Sequence, residues 1–432
     1  MIQKLKLNNI GPSATTELDF GSRLNLITGD NGLGKSFLLD IAWWALTRKW
    51  PAELNPALTC GKMARPDTSA EATISFSFVG KSTTEQYEST YNPKSQSWTG
   101  RPGRPANPGL VLYAMADGGF ALWDPARNYW RTQDNIDVQE RQPGFVFSPA
   151  QVWNGLPNPK EPSASLCNGL IDDWASWQKE RGSSFLLLKS VLQLLSPSDE
   201  EQLRPGALTR IGIDNVKDIP TLETRYGKPV PLPHASSGIR RIVALAYILV
   251  WAWEEHKKAS EQINEQATSQ IIFLIDEIES HLHPTWQRRI IPAILGAMKT
   301  ITNSLSSQAI VQLITATHSP LIMTSIEPEF DSDKDAWFDI DLDQNGTVSL
   351  RKMDFEKHGT VSRWLISDAF DQETDRAIPF HELIEEASTL IESNSPPRQK
   401  ISDMHERLLH ALPATDDYLF RWRAICKKKG FL

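Results

Sequence analysis

The chain has 432 residues, with 53 acidic against 45 basic side chains and a formal net charge of -8. That length allows two or three ordinary domains, and the acidic balance excludes a globally basic nucleic-acid binder, leaving room only for a local basic face. Its three cysteines, Cys60, Cys167 and Cys426, are too dispersed for a zinc pair or a disulfide framework, which points to a reducing cytoplasm.

Residues 2–9 alternate polar and apolar and predict a strand rather than a secretory signal, with 16–20 as its hairpin partner. Residues 23–28 predict a short apolar strand. A glycine-rich segment follows at 29–36. Leu38, Leu39, Ile41 and Trp44 then recur at helical spacing over 36–49. Across 51–150 Pro, Gly, Ser, Thr and Asn are frequent. Short β-prone runs at 72–79, 110–113 and 120–123 predict an irregular antiparallel lobe. Residues 151–235 read as a helical insertion, with helices at 170–179 and 185–195, the second broken by Ser196-Pro197-Ser198-Asp199, a segment able to cap the next turn.

An α/β pattern returns over 236–370. It comprises an apolar helix at 237–255, a strand buried on both faces at 271–275 and a helix opened by His283-Pro284 that runs to 298. A second buried strand follows at 311–315, then a hairpin over 336–350 turning at Asn345-Gly346. Residues 371–432 predict a helical tail, broken near 393–397 and at Pro413. The longest apolar run, 242–253, is shorter than the roughly 18–20 residues that cross a bilayer, so no membrane partner is expected. No repeat or long heptad stretch appears, and the 15 tryptophans read as large core and interface side chains. The fold class is therefore α/β, with a core in two parts, 1–50 and 236–370.

Four segments carry chemistry. Gly29-Asp30-Asn31-Gly32-Leu33-Gly34-Lys35-Ser36 matches G-x-x-x-x-G-K-[ST] between a predicted strand and a predicted helix. Its backbone N–H groups and the helix N-terminus suit phosphate. Lys35 would reach the β- and γ-phosphates, Ser36 would ligate Mg²⁺, and Phe37 continues the nucleotide-binding segment. ATP and Mg²⁺ are thus the expected ligands. Asp276-Glu277 ends an apolar strand, where Asp276 suits the Mg²⁺ shell and Glu277 a general base. A solvated acidic strand end is the plainer reading, but strand-end carboxylates in a phosphate-loop protein face the ligand crevice. His318, in Thr317-His318-Ser319-Pro320, can bond a γ-phosphate oxygen or the attacking water, although alone it would pass as an ordinary loop histidine. Ser236-Ser237-Gly238 precedes the apolar helix and is either an anion site or a plain N-cap.

The order phosphate loop, Ser-Ser-Gly helix, acidic strand and His loop resembles that of ABC (ATP-binding cassette) ATPases. The resemblance implies that Ser236-Ser237-Gly238 is the signature motif, contacting ATP held by a second protomer. A homodimer would then close through the ATP sites, with higher homo-oligomers open. Leu-Ser-Gly-Gly-Gln, usual in transporter subunits, is absent. The opening Asn-Ile-Gly-Pro and the run Asp276-Glu277-Ile278-Glu279-Ser280-His281-Leu282-His283-Pro284 resemble the RecF/SMC/OLD branch, with Ile278 in place of the usual proline. The long insert between Lys35 and Asp276 lacks the heptads of an SMC coiled coil. Asp331-Ser332-Asp333 and Asp339-Ile340-Asp341 spell Asp-x-Asp, but the acidic strand of a Toprim nuclease is missing before them, so they read as surface loop and hairpin.

What remains is an ATPase without a fused nuclease. It is similar to the ATPase subunits of Septu-type antiphage systems (PtuA), which act with a separate HNH nuclease subunit (PtuB). That implies a nuclease partner, with DNA contacted indirectly or weakly. A RecF-like ATPase that clamps DNA directly is the alternative. Gln142 and Gln151 are both candidates for the glutamine that couples Mg²⁺ to the helical lobe. The tail carries Arg421, Arg423, Lys427, Lys428 and Lys429 among Tyr418, Phe420, Trp422 and Phe431. It reads as a packed helix with solvated lysines, a partner-docking surface or a phosphate contact.

Overall fold

Apolar runs of four to seven residues punctuated by glycine favour strands buried on both faces, and these build the centre of the molecule. The structure is a computed structural model that describes all residues except 67–69, 81–83, 101–106, 129–131, 134–135, 138–143, 159–160, 226, 304, 306–308, 344–345, 371, 394–395 and 432. Two compact units divide the chain, Met1–Gly359 and Thr360–Leu432. The division falls before the expected 370/371 boundary, because the short helix Val361–Leu365 belongs to the second unit.

The first unit is a mixed α/β fold around an eight-stranded sheet. In spatial order its strands are Gly144–Phe147, Phe120–Trp123, Leu110–Ala114, Gln270–Ile275, Ile310–Ala316, Leu24–Gly29, Ala336–Leu342 and Val348–Met353. The strands from Leu110–Ala114 to Ala336–Leu342 are parallel and the outer ones antiparallel. An antiparallel five-stranded sheet, ordered Thr15–Asp19, Ile2–Asn8, Thr73–Val79, Thr84–Asn92 and Ser97–Trp98, forms a separate layer. Helix Lys35–Thr47 buries Leu38, Leu39, Ile41, Trp43 and Trp44. One core joins these to Ile74, Phe76 and Phe78 of the antiparallel sheet and to Val111, Ile272, Leu274 and Ile314 of the parallel one. Each such side chain contributes about 1.5–3 kcal/mol of burial. Trp44 stacks on Trp50 with ring centroids 5.3 Å apart.

Residues 51–150 are therefore not one lobe. The strands at 73–98 enter the antiparallel sheet, whereas 110–114, 120–123 and 144–147 complete the core sheet. Every residue of Leu110–Ala114 is buried, as a strand covered on both faces requires. The insertion 151–235 is helical only in part. Helices Leu170–Glu180 and Ser183–Leu194 follow a hairpin of Leu156–Asn158 with Glu161–Cys167. Most of the chain from 195 to 236 is irregular, and the Ser198 hydroxyl accepts a bond from Glu201 N–H at 3.1 Å.

The expected helix at 283–298 is two helices, Pro284–Gln287 and Ile290–Thr302. Pro292 is the reason, since its ring would clash with the carbonyl of Arg288 in a continuous helix. The hairpin at 336–350 turns near Gly346, while Asn345 lies outside the described residues.

The second unit has its own core. Helices Ile378–Glu392, Arg398–Ala411 and Asp417–Lys428 bury Ile391, Ile401, Met404, Leu408, Leu419 and Trp422 against one another. Arg407 makes a two-pronged bond to Glu386, at 2.8 and 2.7 Å. The aromatics of the basic helix thus separate, with Trp422 inside the unit and Phe420 58% exposed beside exposed Arg421 and Arg423. Among the described residues no helix is long and apolar enough to cross a membrane.

Candidate nucleotide site

The carboxyl ends of adjacent parallel strands form a crevice where ligands bind in open α/β sheets. The neighbouring strands Leu24–Gly29, Ile310–Ala316 and Gln270–Ile275 end there together. They deliver the glycine-rich loop, Thr317-His318, and Asp276-Glu277 to one edge.

The loop from Gly29 to Gly34 needs its glycines at two positions. Gly29 has φ 123°, and a Cβ on it would sit 2.1 Å from the Ile340 carbonyl oxygen. Gly34 has φ 103° and closes onto Pro12, 3.1 Å from a built Cβ. Replacing Gly29 by Ala is expected to cost about 1–3 kcal/mol from backbone strain alone, before the clash is counted. A urea midpoint unchanged from that of the parent would contradict this.

Lys35 is 5% exposed, and its ammonium donates to Gly29 O at 2.8 Å and Asp30 O at 2.7 Å. Burial lowers its pKa, opposed by the carboxylates of Asp276, Asp30, Glu279 and Asp339. Asp276 is 3% exposed. Burial raises its pKa, and a hydrogen bond from Ser36 opposes the rise. Its Oδ1 is buried without a hydrogen-bond partner. A buried orphan oxygen beside a serine hydroxyl fits a hard divalent cation, which takes oxygen ligands of this kind.

Glu277 adopts φ 47°, a left-handed conformation uncommon for a side-chain-bearing residue and often found at functional sites. Asp276 keeps its backbone N–H on Ala114 O at 2.9 Å, so the strand pairing extends to Asp276 and the backbone turns at Glu277. The His318 side chain is half-buried. Burial lowers its pKa, and the Lys35 charge lowers it further.

The Ser236 hydroxyl caps helix Ser237–Gln262, accepting from Ile239 N–H at 3.4 Å. Ser236 and Ser237 are exposed and Gly238 is buried. A Cβ on Gly238 would meet His281 O at 2.6 Å, so only glycine lets this helix approach the loop after Glu277. Among the described residues no hydrogen bond links Ser236–Gly238 to the phosphate loop.

Several residues here were not singled out from sequence. Arg241, one turn into the same helix, is mostly buried and donates to Ala116 O at 3.3 Å, Met115 O at 3.5 Å and Asp276 O at 3.2 Å. Asp339 is no surface residue. It is buried on the strand beside the phosphate-loop strand and accepts from Thr28 Oγ1 at 2.5 Å. Asp40 accepts from Tyr113 Oη at 3.0 Å, and burial pushes its pKa up to about 7. Glu279 accepts from the Thr317 hydroxyl and the His318 N–H. Its presence beside Asp276-Glu277 was the one available signal.

Gln151 is part of a capping box. Its side-chain oxygen accepts from Ser148 N–H at 2.8 Å and from Asn55 Nδ2 at 2.6 Å. Gln142 lies outside the described residues. The turn after Leu110–Ala114, next to the acidic strand, presents Met115, Ala116 and Asp117 with no glutamine.

Known proteins match much of the chain. A family model described as "AAA domain, putative AbiEii toxin, Type IV TA system" matches residues 24–324. The chain is 24% identical to the Septu protein PtuA of Bacillus thuringiensis over 326 residues, 74% of this chain and 72% of that one. It is 25% identical over 177 residues to the "Retron Vc95 probable ATPase" of Vibrio cholerae serotype O1 biovar El Tor, covering 39% of this chain but only 30% of that protein. It is also similar to an SMC head domain from Thermotoga maritima, at 13% identity and TM-score 0.38 over 82% of this chain and 99% of that one. A SmcHead bound to the C-winged helix domain of ScpA gives 15% identity and TM-score 0.41, over 82% and 98%. The matched span holds the phosphate loop, the Ser-Ser-Gly helix, the acidic strand and the His loop in order, and the chain belongs to this AAA_21 family of ABC-type P-loop ATPases.

Proposed function

We propose that the protein is a regulatory ATPase whose copies close head-to-tail around ATP and control a separate HNH-type nuclease subunit, in the manner of a Septu-type antiphage system. The observation that carries the ATP-dependent assembly is the division of the site. Phosphate loop, acidic strand end and His318 share one sheet edge, while the exposed serines of the signature helix bond to none of them. A second copy would supply its Ser236, Ser237 and Gly238 to the γ-phosphate.

In this reading Lys35 neutralises phosphate charge, and Ser36 and Asp276 hold Mg²⁺. Bound Mg²⁺ would supply further neutralisation of the phosphate oxygens. Glu277 orients and deprotonates the attacking water, and His318 senses the γ-phosphate. Nucleotide would bias assembly because it binds the closed pair better than the open protomer. The similarity to PtuA supports the defence role.

The test is the solution mass of the chain co-expressed with its neighbouring gene product, with and without ATP–Mg²⁺, alongside DNA cleavage. A stable complex whose cutting depends on nucleotide is the expected result. A lone chain that dimerises with ATP and binds DNA tightly, with affinity falling steeply as salt rises, would instead establish a RecF-like clamp.

A further inference from the structure

The five residues after Asp276 form a pinned loop. Glu277 and His281, at its two ends, both have positive φ, 47° and 62°. Such conformations persist only where surrounding contacts over-determine them. Glu279, between them, supplies the central pin. Its carboxylate is mostly buried, and burial raises its pKa against the bonds from His318 N–H and the Thr317 hydroxyl. The Thr317 hydroxyl donates to it at 2.8 Å and accepts from Ser319 N–H at 3.1 Å. Ser319 Oγ donates to Gln287 Oε1 at 2.6 Å, and Gln287 Nε2 donates to Leu282 O at 2.9 Å. Ile278 N–H reaches Ala316 O at 3.3 Å. The acidic loop and the His loop are thereby closed into one circuit.

On the far side of the same loop, the His281 carbonyl abuts Gly238 of the signature helix. The backbone that carries His318 is therefore located by Glu279, not by its own strand alone.

We infer that Glu279 is a positioning residue. Its carboxylate holds the His318 backbone so that the imidazole meets a terminal phosphate, and it makes the site discriminate a nucleoside triphosphate from a diphosphate. This rests on the reading of the site as one for ATP. A carboxylate suits the task because it accepts from two donors at once. Glutamine can keep the arrangement, with its carbonyl accepting from His318 N–H and its amide donating to the Thr317 oxygen. Alanine cannot.

The experiment uses the full chain with Mg²⁺ and measures affinity for β,γ-imido-ATP and for ADP. Glu279→Ala is expected to weaken the triphosphate analogue about tenfold and ADP by less than about twofold, the scale of one lost charge-assisted hydrogen bond. Glu279→Gln should stay within about threefold of the parent, since both bonds can re-form. In a His318→Ala background, adding Glu279→Ala should change analogue affinity by less than about twofold, because a residue acting only through His318 is silent once that ring is gone. Equal loss for both nucleotides, or a full further loss on top of His318→Ala, would make Glu279 a mere structural staple and overturn the inference. So would an analogue affinity that His318→Ala leaves unchanged. If Glu279→Ala does not fold, Thr317→Val removes one of the two bonds and carries the same test. A parent chain that binds neither nucleotide refutes the ATP reading itself. A parent that binds the analogue, with Glu279→Ala indistinguishable from it, refutes only the role of Glu279.

Discussion

Glu277→Gln is expected to slow ATP turnover by about 10²–10⁴-fold, the range contributed by a positioned general base. Glutamine keeps the length and hydrogen-bonding reach of glutamate but cannot take the proton from water. Lys35, Ser36 and Asp276 are untouched, so the phosphates should bind as before. The variant should therefore accumulate as an ATP-bound assembly, visible as a larger mass by light scattering while phosphate release falls. Stability supplies an internal control. Glu277 occupies a left-handed conformation with φ 47°, and glutamine at the same φ carries the same strain of about 1–3 kcal/mol. Thermal midpoints without nucleotide should thus agree. Unchanged phosphate release would show that Glu277 is not the base.

The second large effect is on stability and comes from Asp40, one turn into the helix that the phosphate loop opens. Burial raises its pKa from 3.8 to about 7, with the nearby Asp276 and Asp117 charges adding to the rise and the Tyr113 hydroxyl opposing it. The folded state thus keeps a proton that the unfolded chain releases. Below about pH 4 both states hold it and there is no effect. As pH climbs from about 4 to 7 the unfolded chain ionises first, so stability falls, and above about 7 the loss is constant. Three pKa units correspond to about 4 kcal/mol, of which about 2–3 kcal/mol lies between pH 5 and pH 8.

Asp40→Asn removes this titration but also removes one acceptor, the oxygen bonded by the Gly61 backbone. The variant should be weaker than the parent at about pH 5 and gain on it by on the order of 2–3 kcal/mol by about pH 8. Urea midpoints with unchanged slope, measured without Mg²⁺, would read this shift. A parent-to-variant difference independent of pH would rule out a protonated Asp40 in the folded state.

The elements that position the phosphate loop were legible because their signals are local. Residues 23–28 are apolar and short, and the loop that follows demands positive φ at Gly29 and Gly34. Helical spacing over Leu38, Leu39, Ile41 and Trp44 matches the face that helix Lys35–Thr47 buries. The strand before Asp276 was visible for the same reason, as a continuous apolar run. Pro292 is a local signal as well, since a proline near the start of one helix also forbids that helix from extending back through Arg288.

Other features are properties of neighbours far away in the chain. Leu110–Ala114 looks like any β-prone run, yet it is central because Gln270–Ile275 pairs with it. Asp339 is spelled like a surface Asp-x-Asp, but pairing of its strand with the phosphate-loop strand buries it against Thr28. Gln151 serves a cap because Ser148 and Asn55 reach it. The clamp from Glu279 to Thr317 and His318, and the contact of Gly238 with the His281 carbonyl, join segments that share no local pattern.

The phosphate loop, the acidic strand end, the His loop and the α/β class were legible in the residues alone, because backbone conformation and burial period are written residue by residue. Which strands complete the core sheet, which carboxylates are buried and which of them hold the site together follow from packing across the chain. Burial and hydrogen-bond partnership exist only once distant segments have been packed side by side.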